Sequence, residues 1–200
     1  MDCSHHRKHA LICLVRHGET DWNRAGRLQG HTDTPLNSKG RQQALEVARS
    51  LAREPWDALY SSHLERALET AAIIGDVLDL SPRADRNLSE RFFGGIHGLT
   101  AAEMDREFPW HRRSRLGITQ MEPDEAFRLR IREVMTRIGR RHLGEKVILV
   151  THGGFMRSFL LNDLLHSGIP QSVGNCEAQR VRYLGPGLWV PESPELNGGR

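Results

Sequence analysis

The chain has 200 residues, 38% of them hydrophobic and 26% charged, with a formal net charge of +3 before its eleven histidines are counted. That length can bury a sizeable core in one domain, the composition excludes a disordered chain, and no apolar run approaches a membrane span. So mild a positive excess, without a zinc-finger spacing, an RNP motif or a long basic stripe, excludes a nucleic-acid partner from the expectation.

Three cysteines (Cys3, Cys13, Cys176) without CxxC spacing read as free thiols in a reducing, cytoplasmic setting, and the N-terminus has no apolar secretory core. "ALICLV" (10–15) is a short apolar run without polar alternation, the pattern of a strand buried on both faces. It stops abruptly at Arg16, His17 and Gly18. After a loop to about Leu36, Asn37 is placed to cap a helix over 38–53, with Ala44, Val47, Ala48 and Leu51 at helical spacing. "WDALYSS" (56–62) is the next strand. It leads into a helix where Ser62 and Glu65 have capping-box spacing and Leu64, Ala67, Leu68, Ala71 and Leu78 form an apolar face.

Residues 80–122 are less regular, with a short helix at 100–107. A long helix is expected over 123–142, with Phe127, Ile131, Val134 and Ile138 inward. "KVILVT" (146–151) repeats the first strand and ends on His152, Gly153 and Gly154, before a helix carrying Phe155, Phe159 and Leu160. A final strand covers 178–184, and the tail over 191–200 is expected to be loose.

Strands alternating with helices predict a single α/β domain spanning 1–200, a three-layer α/β/α sandwich around a mostly parallel central sheet. Such sheets bind ligands beyond the carboxyl ends of their strands. Arg16, His17, Arg66 and His152 all fall at that edge. Two guanidiniums and two imidazoles facing one point need an anion, and arginine forks match phosphate oxygens. Arg66, in the first turn of its helix, adds the helix dipole to that field, and Gly18, Gly153 and Gly154 allow close backbone approach to an oxyanion.

The segments "RHGET" (16–20), "GRLQGHTDTPLNSKGRQQA", "YSSHLERALETA", "LSERFFGGIHGLT" and "VTHGGFMR" occur in the order and spacing of the histidine phosphatase superfamily, the phosphoglycerate mutase-like family. The chain resembles that family from residue 11 to about 184. The resemblance implies that His17 accepts the phosphoryl group, that Arg16, Arg66 and His152 form the phosphate pocket, and that Glu90 is the proton donor and acceptor. It further implies that Asn23, Gln29, Gly30 and Gly153 lie near the substrate, with Arg112 and Arg113 near a substrate carboxylate under a covering segment at 91–122. No cofactor and no metal are implied. The expected partner is a small phosphorylated metabolite, with no membrane, and a homodimer is left open.

An attacking imidazole must be neutral, and neighbouring cations favour that form; its other nitrogen then needs a backbone acceptor. Family members are phosphatases or mutases. Phe93 and Ala101 stand where mutases resemble each other in carrying tyrosine and lysine, Gly154 replaces an asparagine, and the cover is shorter, which admits water. A phosphatase is therefore expected, with a cofactor-dependent phosphoglycerate mutase as the alternative and a binding-only protein third. Further expectations are a packing role for Phe92 and Phe93, a buried, small-hydrophobe role for Cys13, and Glu125 in place of a family "GGES" glutamate. Away from the motif, Arg66 would read as a surface partner of Glu65 or Glu69. His5, His6 and His9 read as a solvated tail, and the basic run 111–115 as a solvated face.

Overall fold

In the computed structural model, which describes residues 9–109, 120–164 and 172–192, the first apolar run forms a strand at the centre of a six-stranded sheet. The strands are β1 (Ala10–Arg16), β2 (Ala58–Ser61), β3 (Arg83–Ala84), β4 (Lys146–Thr151), β5 (Ala178–Gly185) and β6 (Leu188–Pro191), in the order β3-β2-β4-β1-β5-β6. The block β3-β2-β4-β1 is parallel; β5 runs antiparallel to β1, and β6 antiparallel to β5. The expected, mostly parallel sheet is present, with an antiparallel edge built by a hairpin at β5 and β6.

Both faces of β1 and β4 are covered, which is why neither strand alternates polar with apolar residues. Ile12, Leu14, Val147 and Leu149 point into a core with Phe127, Ile131, Val134, Ile138, Phe155 and Phe159. These come from helices α5 (Asp124–Arg141) and α6 (Gly153–Asp163). Cys13, Val15, Ile148 and Val150 point the other way, against Ala48, Leu51, Ala67, Ala71 and Ile74 of helices α2 (Ser38–Leu51) and α3 (Glu65–Leu78). The result is the three-layer α/β/α sandwich. Burial pushes the Cys13 thiol up to about 12, so it behaves as a small hydrophobe.

Asn37 caps α2 as expected, accepting the Gly40 N–H at 2.8 Å. The capping box expected at Ser62 and Glu65 is absent. Buried Leu64 stays extended, α3 begins at Glu65, and the Glu65 N–H is satisfied by Asp33 Oδ1 at 3.0 Å. Capping boxes occur instead at the four-residue helix α1 (Asp21–Arg24), from Thr20, and at α4 (Ala101–Glu107), from Thr100 and Glu103. Two strands were not anticipated: β3, with only two residues, and β6, which pairs with β5 across a glycine turn. His9 bonds to Arg182, so it is not a free tail residue; His5, His6 and the run 111–115 lie outside the described residues, as does the tail from 193. Among the described residues, no helix is long and apolar enough to cross a membrane.

Candidate active site

The parallel register between β1 and β4 aligns Arg16 with Thr151, and the His17 N–H continues the ladder to Thr151 O at 2.9 Å. This register sets His17 beside His152, with ring centroids 5.1 Å apart. Gly18 then turns the chain against α2, where a Cβ would overlap the Gly40 carbonyl. His17 Nδ1 lies 2.7 Å from Gly18 O. A carbonyl only accepts, so the proton sits on Nδ1 and Nε2 carries the lone pair. Arg66 Nε donates to that same Nε2 at 3.2 Å, which agrees with the tautomer.

Arg66 is fully buried in the first turn of α3. Its two terminal nitrogens donate to Gly30 O (2.7 Å) and Thr32 O (2.9 Å), fixing the guanidinium as a wall of the site. The surface pairing with Glu65 or Glu69 is thereby excluded; Glu69 pairs with Arg41 at 2.6 Å. Gly30 has φ +50°, and a Cβ there would strike the His97 ring, so only glycine can present this carbonyl. Arg16 donates through Nη1 to Val173 O at 2.6 Å.

Arg16 Nε and both ring nitrogens of His152 are buried without a hydrogen-bond partner among the described residues. Buried donors left unpaired cost about 1–3 kcal/mol each, an expense natural sites carry where a ligand satisfies it. Burial, then Arg66 and Arg16, holds His17 well below the usual histidine range; burial, then Arg66 and His17, does the same to His152. Burial also pulls Arg66 down to about 10, against the opposing pull of Glu90. Both imidazoles are therefore neutral and both guanidiniums charged at neutral pH.

Glu90 closes the constellation from the loop before α4. Its Oε1 accepts the Arg91 N–H (2.8 Å) and its Oε2 accepts the Gly154 N–H at the start of α6 (2.9 Å). Its own carbonyl is held by His31 Nε2 at 2.7 Å and Arg130 Nη2 at 3.3 Å. A Cβ at Gly154 would overlap Glu90 Oε1, and one at Gly153 would press within 3.2 Å of Arg16 Nε. The double glycine after His152 thus makes room for two charged side chains.

Arg16, His17, Arg66, Glu90 and Gly154 line a cavity of about 320 Å³ together with Asn23, Gln29, Gly30 and Gly153, while the fully buried His152 lies behind His17 and is not part of its lining. Asn23 Oδ1 accepts the Thr20 N–H (3.1 Å), and Gln29 Oε1 accepts from the Thr20 and Thr34 hydroxyls (3.0 and 2.5 Å). Arg112 and Arg113 lie outside the described residues. Two expectations need correction. Phe93 lines the cavity, while Phe92 does pack, edge-on to His31 and His97. Glu125 is exposed; Glu122 is the carboxylate that anchors the region, taking Arg130 Nε at 2.9 Å and the Phe92 N–H at 3.3 Å.

Sequence reasoning missed Asn175, whose Nδ2 donates to His17 O (3.0 Å) and Asn23 Oδ1 (3.2 Å), and it missed the Val173 carbonyl under Arg16. Neither carries a local signal. Arg27 and Arg157 also line the cavity; Arg27 is paired with Glu103 at 2.9 Å. Among the described residues, no group of three or more His, Cys, Asp or Glu side chains is arranged to hold a metal ion.

Residues 12–189 match the family described as the histidine phosphatase superfamily (branch 1). The chain belongs to this superfamily. It is 40% identical to phosphoglycerate mutase-like protein 4 of Arabidopsis thaliana over 160 residues, covering 75% of this chain and 69% of that protein. It is 37% identical to a metal-independent phosphoserine phosphatase of the same plant over 164 residues, covering 75% and 67%. Among solved structures, a mycobacterial glucosyl-3-phosphoglycerate phosphatase with VO3 superposes with a TM-score of 0.76 at 28% identity, covering 86% of this chain and 92% of that one. The sheet order, the paired histidines, buried Arg66 and half-buried Arg16 of this histidine phosphatase superfamily member therefore sit in a fold that houses both phosphatases and mutase-like proteins.

Proposed function

We propose that the chain is a metal-independent phosphomonoesterase that hydrolyses a small phosphorylated metabolite through a phosphohistidine on His17. The observation that carries this reading is the His17 ring itself: Nδ1–H is tied to Gly18 O, and the lone pair of Nε2 lies in a cavity shared with Arg16, Arg66 and Glu90. A neutral, oriented imidazole beside two fixed guanidiniums and a carboxyl supplies a nucleophile, an anion clamp and a proton source.

In the first step a phosphoryl oxygen takes over the Arg66 Nε hydrogen bond and His17 Nε2 attacks phosphorus. The N–P bond forms as the P–O bond to the alcohol breaks, and Glu90 gives its proton to the departing oxygen. Arg16 Nε and the His152 ring N–H satisfy phosphoryl oxygens. In the second step Glu90 takes a proton from water, the water oxygen bonds to phosphorus, and the N–P bond breaks to release inorganic phosphate and restore His17.

Similarity to a metal-independent phosphoserine phosphatase supports hydrolysis, and similarity to a mutase-like protein keeps transfer to a second hydroxyl as the alternative. The deciding experiment is phosphate release from a panel of phosphomonoesters, 3-phosphoglycerate included, with EDTA present and His17→Ala alongside. Release by the wild type alone is expected. Activity retained in the variant would overturn the mechanism, and interconversion of phosphoglycerates without release would select the mutase.

A further inference from the structure

The carbonyl that orients His17 belongs to a peptide group whose other polar end is also held. His17 Nδ1–H donates to Gly18 O at 2.7 Å, and the N–H of the same peptide, that of Glu19, donates to Gln43 Oε1 at 3.0 Å. Gln43 sits in the second turn of α2, half-buried and outside the lining of the active-site cavity. A continuous chain of hydrogen bonds therefore runs from α2 through one peptide plane to the ring. Because that plane is rigid, gripping its N–H fixes the direction of its C=O.

The start of α2 holds Glu19 by its remaining polar groups as well. The Asn37 N–H donates to Glu19 O at 3.0 Å, and the Glu19 carboxylate takes Asn37 Nδ2 (3.0 Å) and Lys39 Nζ (2.8 Å). The backbones touch directly, since a Cβ at Gly18 would overlap the Gly40 carbonyl and one at Gly40 would overlap the Glu19 carbonyl. The preceding peptide is gripped from α3. The Gly18 N–H donates to the buried Thr70 hydroxyl at 3.0 Å, and that hydroxyl donates to Arg66 O at 2.7 Å. Two helices thus hold the two peptides on either side of Gly18, each through one side chain.

We infer that Gln43 is a positioning residue for catalysis: through the Gly18–Glu19 peptide it holds the carbonyl that keeps the His17 proton on Nδ1 and the Nε2 lone pair facing the cavity. The inference rests on the phosphatase reading and adds to it a residue of α2 that meets no substrate. Polarisation acts in the same direction as geometry, because an acceptor on a peptide N–H makes the carbonyl of that peptide a stronger acceptor. Thr70 does the matching work at the neighbouring peptide. By tying the Gly18 N–H to the helix that carries Arg66, it sets the nucleophile and the guanidinium in one frame.

The test measures kcat and KM on p-nitrophenyl phosphate for wild type, Gln43→Met, Gln43→Glu and Gln42→Met. The Hδ1 proton resonance of His17 is followed in each by NMR. Methionine matches glutamine in length and helix propensity but offers an N–H only a weak acceptor. Gln43→Met is expected to lower kcat by about tenfold or more with KM little changed, and to move the Hδ1 resonance upfield as its bond to Gly18 O loosens. Gln43→Glu keeps the acceptor and is expected to restore most of kcat. Gln42, exposed and bonded to Glu46, is the control for α2, and its variant should match the wild type. Full kcat or an unmoved resonance in Gln43→Met would overturn the inference. So would a Gln43→Glu variant as slow as Gln43→Met, or an equal loss in Gln42→Met. Absence of phosphate release from the wild type would instead remove the phosphatase reading, and the Hδ1 resonance would still report whether Gln43 holds the ring.

Discussion

Glu90 Oε2 accepts the Gly154 N–H at 2.9 Å, and nothing larger than hydrogen fits on the Gly154 Cα beside it. The carboxyl is thus seated on the first turn of α6, where the N–H groups of a helix start face outward and favour negative charge. The carboxyl that donates the proton in the proposed reaction is thus positioned by a residue that has no side chain.

Gly154→Ala is therefore expected to act on chemistry more than on stability. The new methyl group displaces Glu90, so substrates with poor leaving groups should slow by about a hundredfold, the lower end of general acid contributions, while p-nitrophenyl phosphate slows much less. Steady-state rates across leaving groups check this. Uniform slowing would mean that Glu90 is not the group being moved.

Acid should weaken this fold in a way traceable to two histidines. His17 and His152 are kept neutral in the folded chain, chiefly by burial, and return to the ordinary value of 6.5 on unfolding. Between that value and the depressed folded-state values, the unfolded chain binds protons that the folded chain cannot. Stability then falls as pH drops below 6.5, approaching about 1.4 kcal/mol per pH unit for each ring. Urea midpoints at pH 7 and pH 5 test the point, with His152→Gln as comparison. The variant should lose less on acidification; equal losses would show that other groups govern the slope.

Asn175→Ala should lower activity although Asn175 itself meets no substrate in the proposed reaction. The wild-type amide joins His17 O to Asn23 Oδ1, so its loss frees both the His17 backbone and a cavity-lining side chain. A misplacement below an ångström is enough to cost tenfold or more in kcat, and one neutral hydrogen bond contributes about 1 kcal/mol of stability. Asn175→Asp keeps the shape but offers His17 O no donor, and should resemble the alanine variant. Full kcat in both, with unchanged pH dependence, would reduce Asn175 to loop packing.

How much of this structure is legible in the sequence depends on whether the determining contacts are local. β1 and β4 announced themselves as unbroken apolar runs, and their ends placed Arg16, His17 and His152 at one sheet edge. Ordered motif segments located Arg66, Glu90, Asn23 and Gln29 in the same cavity. The failures share a cause. The α3 cap comes from Asp33 in a distant loop, so a local Ser-x-x-Glu pattern misled. Val173 and Asn175 reach Arg16 and His17 across almost the whole chain, and no periodicity records such a pairing. Glu125 and Glu122 differ only in which way the chain enters α5, a matter settled by the Arg130 and Arg91 contacts.

The pairing of Leu11 with Lys146 through Arg16 with Thr151 has a consequence for how the gene can change. His17 and His152 are neighbours only because two strands, far apart in sequence, count off the same number of steps from a common start. One residue inserted within either strand shifts a histidine by about 3.3 Å along the sheet and turns the alternate side chains to the opposite core. Insertions in the loops leave the count untouched. Length variation should thus be purged from β1 and β4 and tolerated between them, whatever molecule the cavity has come to accept.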